Sequence, residues 1–332
     1  MQKNKKKRIC VVFFWIGFGM ILWICSRWIV MQCPYEQLNK FWSNDQKSAE
    51  IRVFFPENQK VSKQMLMTAE EDMETVLEQN GISNPSERKK IWTSAYSAEG
   101  RLVAEGEKAE KMVQVIGVGG DFFFFHPFVL KSGTWFDTRK STQSVILNEE
   151  AAWQLFGSSD IAGMELKIGA KSYLISGVIK MEKRLFQEAT GADNYQIYLS
   201  YEEFQLFVEK GVTCYEVIFP NPIQDFAVTT MKKQEIFSKA ELMETTNRFF
   251  FAKRLSELPF FFEKFMHTNN IQYPFWENTA RAWEGVRDII LIFQIIWIVL
   301  GVKIIGELGV MVLKSVKLIK FRNHIVQHRM QE

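Results

Sequence analysis

The chain's four histidines are His126, His267, His324 and His328, and none stands at a metal-ligand spacing from a cysteine or an acid. His324 and His328 are four apart on a predicted helix with no third ligand, which makes a solvated basic face. Neither a GxSxG motif nor a cysteine set beside a histidine occurs, so nucleophilic catalysis has nothing to attach to. The absence of GxxxxGK[ST] leaves no P-loop to cradle a nucleotide. The acids of "EEDME", from Glu70 to Glu74, fit the wet face of a helix. No catalytic residue, cofactor or metal is therefore expected.

Three other sets invite contact rather than catalysis. Lys303 and Glu307 are four apart, hence neighbours on one helical face, inside or beside an apolar run. Either the run ends early and the pair lies at a membrane interface, or the pair is buried and docks its helix against a partner helix. Phe122, Phe123, Phe124 and Phe125 follow the double glycine of "GVGGD". Four consecutive aromatics cannot share one face of a strand. They form either a core corner wedged between subdomains or an exposed patch that meets a partner or the membrane surface. Trp276 and Trp283, with Tyr273 and Phe275, suit an aromatic belt at the outer membrane face. Cys10 and Cys25 fall in an apolar run as packing residues, whereas Cys33 and Cys214 lie where a disulfide could join them.

The elements that hold these residues begin at the two ends. Lys3, Lys5, Lys6, Lys7 and Arg8 precede an uncharged apolar run from Ile9 to Cys25, which continues past Arg27 to Val30. A membrane-crossing helix needs ~20 mostly apolar residues, and an arginine near its end can snorkel to the headgroups. "ICSRWIVMQC" offers no A-x-A cleavage pattern, and Gln32 stands where a lipoprotein signal needs a small residue before Cys33. An uncleaved anchor over 9–30 follows. A second run over 287–313 is interrupted only by Gln294, Lys303 and Glu307 after its opening charges, and Lys314, Lys317, Lys320 and Arg322 come next. Lys and Arg collect in cytoplasmic loops, so residues 1–8 and 314–332 are predicted inside and 31–286 outside, in a two-pass cell-membrane protein.

The net charge of +3 conceals an asymmetry. Residues 1–30 hold six Lys and Arg and no acid, and 287–332 hold seven against three. From totals of 41 basic and 38 acidic residues, 28 and 35 remain for 31–286, a net of −7. An acidic outer segment excludes nucleic acid as its partner and leaves membrane lipid at the basic ends.

The outer segment is long enough for one large domain. "AEIRVFF" has a strand composition, and "SKQMLMTAEEDMETVLEQNG" places Leu66, Ala69, Met73, Val76 and Leu77 on one helical face before Gly81. "IWTSAYSAEGRLVAE" reads as strand–turn–strand and "KMVQVIGV" as a strand. "SVILNEEAAWQLFG" is a strand entering a helix capped by Asn148 and ended by Gly157. "MELKIGAKSYLISGVIK" is a hairpin. "YQIYLSYEEFQLFVEKG" repeats strand-to-helix, with Ser200 and Glu203 as a capping box. A long helical stretch is expected from Lys239 to His267. The fold class is α+β.

In that order, "VQVIGVGGDFFFF", "LKSGTWFD", "SVILNEEAAWQLFGSSDIAGMELKIGAKSYLISGVI" and "QIYLSYEEF" resemble the MacB-like periplasmic core domain of MacB/FtsX-type ABC transporter permeases. The match rests on Gly117-Val118, Asp121-Phe122, Gly133, Phe136, Leu147-Asn148, Ala152, Leu155-Phe156-Gly157, Asp160-Ile161, Gly163 and Gly177-Val178. It runs from about Ala49 to Phe219, leaving a helical juxtamembrane part over about 222–286. The resemblance implies three membrane helices after the domain and a cytoplasmic segment that grips an ATPase. Only one apolar run follows the domain here, and no "R..EIG..KA.G" segment. What the resemblance implies is a permease-like subunit partnered by a separate ABC ATPase and a fuller permease. Its outer domain would transmit conformational change and would not catalyse. The alternative is a non-transporting, membrane-anchored binding or scaffold protein using the same domain.

Overall fold

A computed structural model describes the chain except residues 1, 34–35, 37, 39–41, 43–46, 83–90, 182–184, 192–193, 261–269 and 330–332, with only the backbone of 2–9, 315 and 318–329. The strands are β1 (Ser48–Phe54), β2 (Thr93–Glu105), β3 (Glu110–Gly120), β4 (Leu130–Gly133), β5 (Ser144–Asn148), β6 (Glu165–Ile168), β7 (Lys171–Ile179), β8 (Gln196–Ser200), β9 (Cys214–Pro220) and β10 (Glu241–Glu244). The helices are α1 (Gln2–Gln32), α2 (Lys63–Gln79), α3 (Phe122–Phe125), α4 (Glu149–Phe156), α5 (Gln187–Thr190), α6 (Tyr201–Gln205), α7 (Phe226–Lys232), α8 (Phe251–Glu257) and α9 (Phe275–Arg329).

The strands form one sheet in the order β10-β1-β9-β2-β3-β8-β5-β7-β4, with β6 paired to β2 and β7. β3 with β8 and β5 with β7 run parallel, and the other pairs are antiparallel. Successive strand side chains point to opposite faces. On β1, Ala49, Ile51 and Val53 therefore join one core, which the buried stripe of α2 (Leu66, Ala69, Met73, Leu77) and the apolar residues of α4 and α6 complete. Phe54 joins a second core on the other face, with Ile116, Val118, Phe122, Phe125, Tyr198 and Trp276. Glu50 and Arg52 share that second face by the same alternation.

Local chemistry sets several element ends. The Asn148 carboxamide oxygen accepts from the Ala151 N–H at 2.9 Å, and Gly157 closes α4 in the left-handed region, as the sequence predicts. Ser200 stands at the N-cap of α6 without a side-chain bond, so the expected capping box does not form. The Glu203 carboxylate accepts instead from Tyr173 Oη at 2.7 Å and Ser141 Oγ at 2.8 Å. β2 is a single strand through Gly100 and not a strand–turn–strand, because β3 pairs with it continuously from Ala95 to Glu105. The stretch expected to be helical from Lys239 contains β10, which adds an edge strand to β1 before α8 begins. Residues 261–267 of that stretch lie outside the described residues.

Two compact units result. One comprises Cys33–Phe250 with Phe262–Ala282, and the other Met1–Gln32, Phe251–Phe261 and Trp283–Glu332. Two helical segments are long and apolar enough to cross a membrane, Cys10–Gln32 (23 residues) and Phe275–Lys314 (40 residues). At 1.5 Å per residue the latter is about 60 Å long, roughly twice a hydrocarbon core, so α9 extends beyond any bilayer it crosses. In the second unit α1 and α9 cross where Trp15 and Trp297 stack at 4.6 Å. Each indole N–H donates to the other residue's carbonyl, at 3.0 and 2.8 Å. Gly19 and Gly301 permit this approach: a Cβ on Gly19 would lie 2.4 Å from the Trp297 ring and one on Gly301 2.3 Å from Trp15.

Candidate functional site at a buried charge network

The aromatic run explains how the site is assembled. Gly120 has a φ of 66°, and a Cβ there would lie 2.5 Å from the Ser94 carbonyl oxygen, so only glycine lets the chain leave β3 at this corner. Asp121 then accepts from Thr93 Oγ1 at 2.6 Å and starts the single turn α3. Helical spacing sends Phe122 and Phe125 inward, at 0% and 1% exposure, and leaves Phe123 and Phe124 half-buried against the same core. The reading of Phe122 and Phe125 as a partner or membrane-surface patch is thus corrected: they fill the second core. His126, one turn after Phe122, is buried with its Nε2 2.6 Å from Glu216 Oε2.

Glu216 opens onto a network of buried charges. Arg52 on β1 lies 2.9 Å from Glu216 through Nε, 2.6 Å from Glu36 and 3.3 Å from Glu277 through Nη1, and 3.4 Å from Glu50 through Nη2. Arg248, just after β10, reaches Glu36 at 3.3 Å and grips both Glu277 oxygens, at 2.9 and 2.8 Å. Arg281 donates to Glu277 at 2.8 Å and to Glu241 at 2.8 Å, its guanidinium 3.8 Å from the centre of the Tyr273 ring. Glu36, Glu50, Glu216, Glu277, Arg52 and Arg248 are all buried.

Electrostatics follow from crowding four carboxylates around two arginines. Burial pushes the Glu50 carboxyl up to about 7, with Glu36 and Glu216 adding to the rise against Arg52. Burial also works against the Glu216 carboxylate, but His126 and Arg52 hold it below its ordinary value. Ions taken out of water cost several kcal/mol each unless their partners compensate. The geometry supplies those partners from distant parts of the chain. Glu36 follows α1 and Glu277 lies in the first turn of α9, so one arginine on the sheet binds the segments that lead to both candidate membrane helices.

The remaining sequence candidates fall elsewhere. Trp276 is buried against Phe122 at 5.6 Å and His126 at 4.4 Å, so it packs the second core and forms no surface belt. Trp283, in the other unit, is 1% exposed and meets Trp28 edge-on at 5.4 Å. No disulfide joins Cys33 and Cys214. Cys214 starts β9 inside the second core, where burial pushes its thiol well up. Lys303 and Glu307 are exposed on α9. In the same unit Arg254 of α8, fully buried, binds Glu284 at 2.6 Å and Asp288 at 2.7 Å. Nothing in sequence spacing singled out Arg52, Arg248 or Glu277. The available signal was alternation, which set Glu50 and Arg52 on one face of a strand.

The MacB-like periplasmic core domain family matches residues 46–232. The periplasmic region of MacB from Actinobacillus actinomycetemcomitans is similar, with 15% identity, a TM-score of 0.41, and 59% of this chain and 89% of that one covered. The extracellular domain of the noncanonic ABC-type transporter YknZ from Gram-positive bacteria aligns over 59% and 100% at 15% identity and a TM-score of 0.39. A domain of a putative permease protein from Porphyromonas gingivalis aligns over 59% and 86% at 13% identity and a TM-score of 0.34. No curated protein matches the chain. With more than half of its length matched, from the first sheet strand through α7, the chain belongs to the MacB-like periplasmic core domain family.

Proposed function

We propose that this protein is a membrane-anchored, permease-like subunit of an ABC transport system, whose outer domain transmits conformational change and does not catalyse. The observation that carries the proposal is the buried network in which Arg52 and Arg248 bind Glu36, after α1, and Glu277, at the start of α9. A displacement of either helix connection would have to break or drag buried charge pairs, and breaking one costs about 3–5 kcal/mol. The sheet would therefore follow both connections. The basic flanks support a reading in which both termini are cytoplasmic, where a separate ABC ATPase would act, and a fuller permease would supply further membrane helices. Exposed Lys303 and Glu307 are suited to contact that second permease.

Co-purification from detergent-solubilised membranes tests the assignment. An ATPase and a second permease retained in stoichiometric amounts are expected. A chain recovered alone under conditions that preserve membrane complexes would favour an anchored binding or scaffold protein.

A further inference from the structure

A second polar site lies in the same unit, away from the Arg52 network. A cavity of about 340 Å³ is lined by Glu99 and Arg101 of β2, Gln114 of β3, Asn194, Lys210 and Asn278. Glu99 is 7% exposed, and its Oε2 accepts from Gln114 Nε2 at 2.8 Å. Asn194 in turn donates to Gln114 Oε1 at 3.2 Å, which fixes the Gln114 amide so that it presents its N–H to Glu99. The other carboxylate oxygen, Oε1, is buried and has no hydrogen-bond partner. A buried acceptor left unmatched is costly, and a built site with one open acceptor calls for a donor from outside the chain.

The surroundings narrow that donor. Arg101 follows Glu99 by two residues, so both occupy one face of β2 about 7 Å apart. Arg101 forms no ion pair among the described residues, and Lys210 Nζ sits at the same cavity, 3.0 Å from Gln272 Oε1 and 3.7 Å from Glu57 Oε1. A carboxylate, a guanidinium and an ammonium lining one cavity complement a molecule that carries both charges. Gln114, Asn194 and Asn278 add amide groups able to donate or accept. From this we infer that the cavity is a binding site for a small zwitterion of amino-acid or dipeptide size. Its ammonium pairs with Glu99 Oε1 and its carboxylate with Arg101 and Lys210.

The test is calorimetric titration of the full-length chain in detergent with each common L-amino acid and with alanyl-alanine. Saturable binding of at least one of them at one site per chain is expected. N-acetylation of that ligand, which removes its ammonium, should weaken binding at least tenfold, as should amidation of its carboxylate. Glu99→Gln, which keeps the shape of the side chain, and Arg101→Gln should each lose at least tenfold in affinity. No saturable binding by any zwitterion overturns the inference. So does equal affinity for the N-acetylated ligand, a result read on the unaltered protein and thus independent of how the variants fold.

Discussion

Arg52 shows at the residue scale why a buried ion is held by its whole company. It is 1% exposed and faces four carboxylates, so Arg52→Ala leaves Glu36, Glu50, Glu216 and Glu277 crowded together without their central cation. The expected loss is about 3–5 kcal/mol of domain stability, read as a lowered midpoint in denaturant unfolding of the full-length protein. An unchanged midpoint would show that the carboxylates simply take up protons. Phe122→Ala should cost a similar amount, about 3–5 kcal/mol, because the ring is fully buried among Trp276, Tyr198 and His126. Glu99 carries a pH dependence. Burial raises its carboxyl from 4.5 to about 7, so between those values the folded chain holds a proton that the unfolded chain has lost. Its contribution therefore favours folding below about pH 4.5 and is lost as pH rises through 7. The difference is on the order of 3 kcal/mol. Glu99→Gln should flatten that part of the stability–pH curve, and a curve with the same slope between pH 4.5 and 7 would place the titrating group elsewhere.

At the scale of elements, helix contacts and strand faces were unequally legible in the sequence. Caps and turns were readable because their causes are local: Asn148 and Gly157 bound α4 through atoms three or four residues away. Glu50 and Arg52 were visible as one face of a strand, and ordinary alternation assigns such a face to water. What buries them is Glu277, 225 residues from Arg52, together with Glu36 and Arg248, and no local pattern records that meeting. The same limit hid β10, whose four residues gain their strand conformation only by pairing with β1. For α1 and α9 the readable signal was apolar length, while the contact depends on two glycines. Gly19→Val should force the helices apart at Trp297 and abolish a disulfide engineered across the Trp15–Trp297 crossing, whereas Gly17→Val, where a Cβ meets nothing within 4 Å, should preserve it. Exposed Lys303 and Glu307 are proposed to contact a second permease. Reversing either charge should reduce recovery of a co-purifying permease and reversing both should partly restore it. If neither single reversal changes recovery, the pair belongs to the lipid interface.

For the whole molecule, an acidic segment over 31–286 between two basic ends accords with the proposed two-pass topology. Reporter fusions at Met1 and Glu332 should both read cytoplasmic, and an external C-terminus would overturn the proposed ATPase-facing role of the basic segment 314–332. Under the proposed function, the Arg52 network makes the sheet and both helix connections move together. Hydrogen exchange on the co-purified complex, compared between nucleotide-free and vanadate-trapped states, reads this directly. Peptides containing Glu36 and those containing Glu277 should change protection together, and in the fraction of Arg52→Met protein that remains folded in the membrane the two changes should be uncoupled. Identical protection in both nucleotide states, for both sets of peptides, would contradict transmission through the domain.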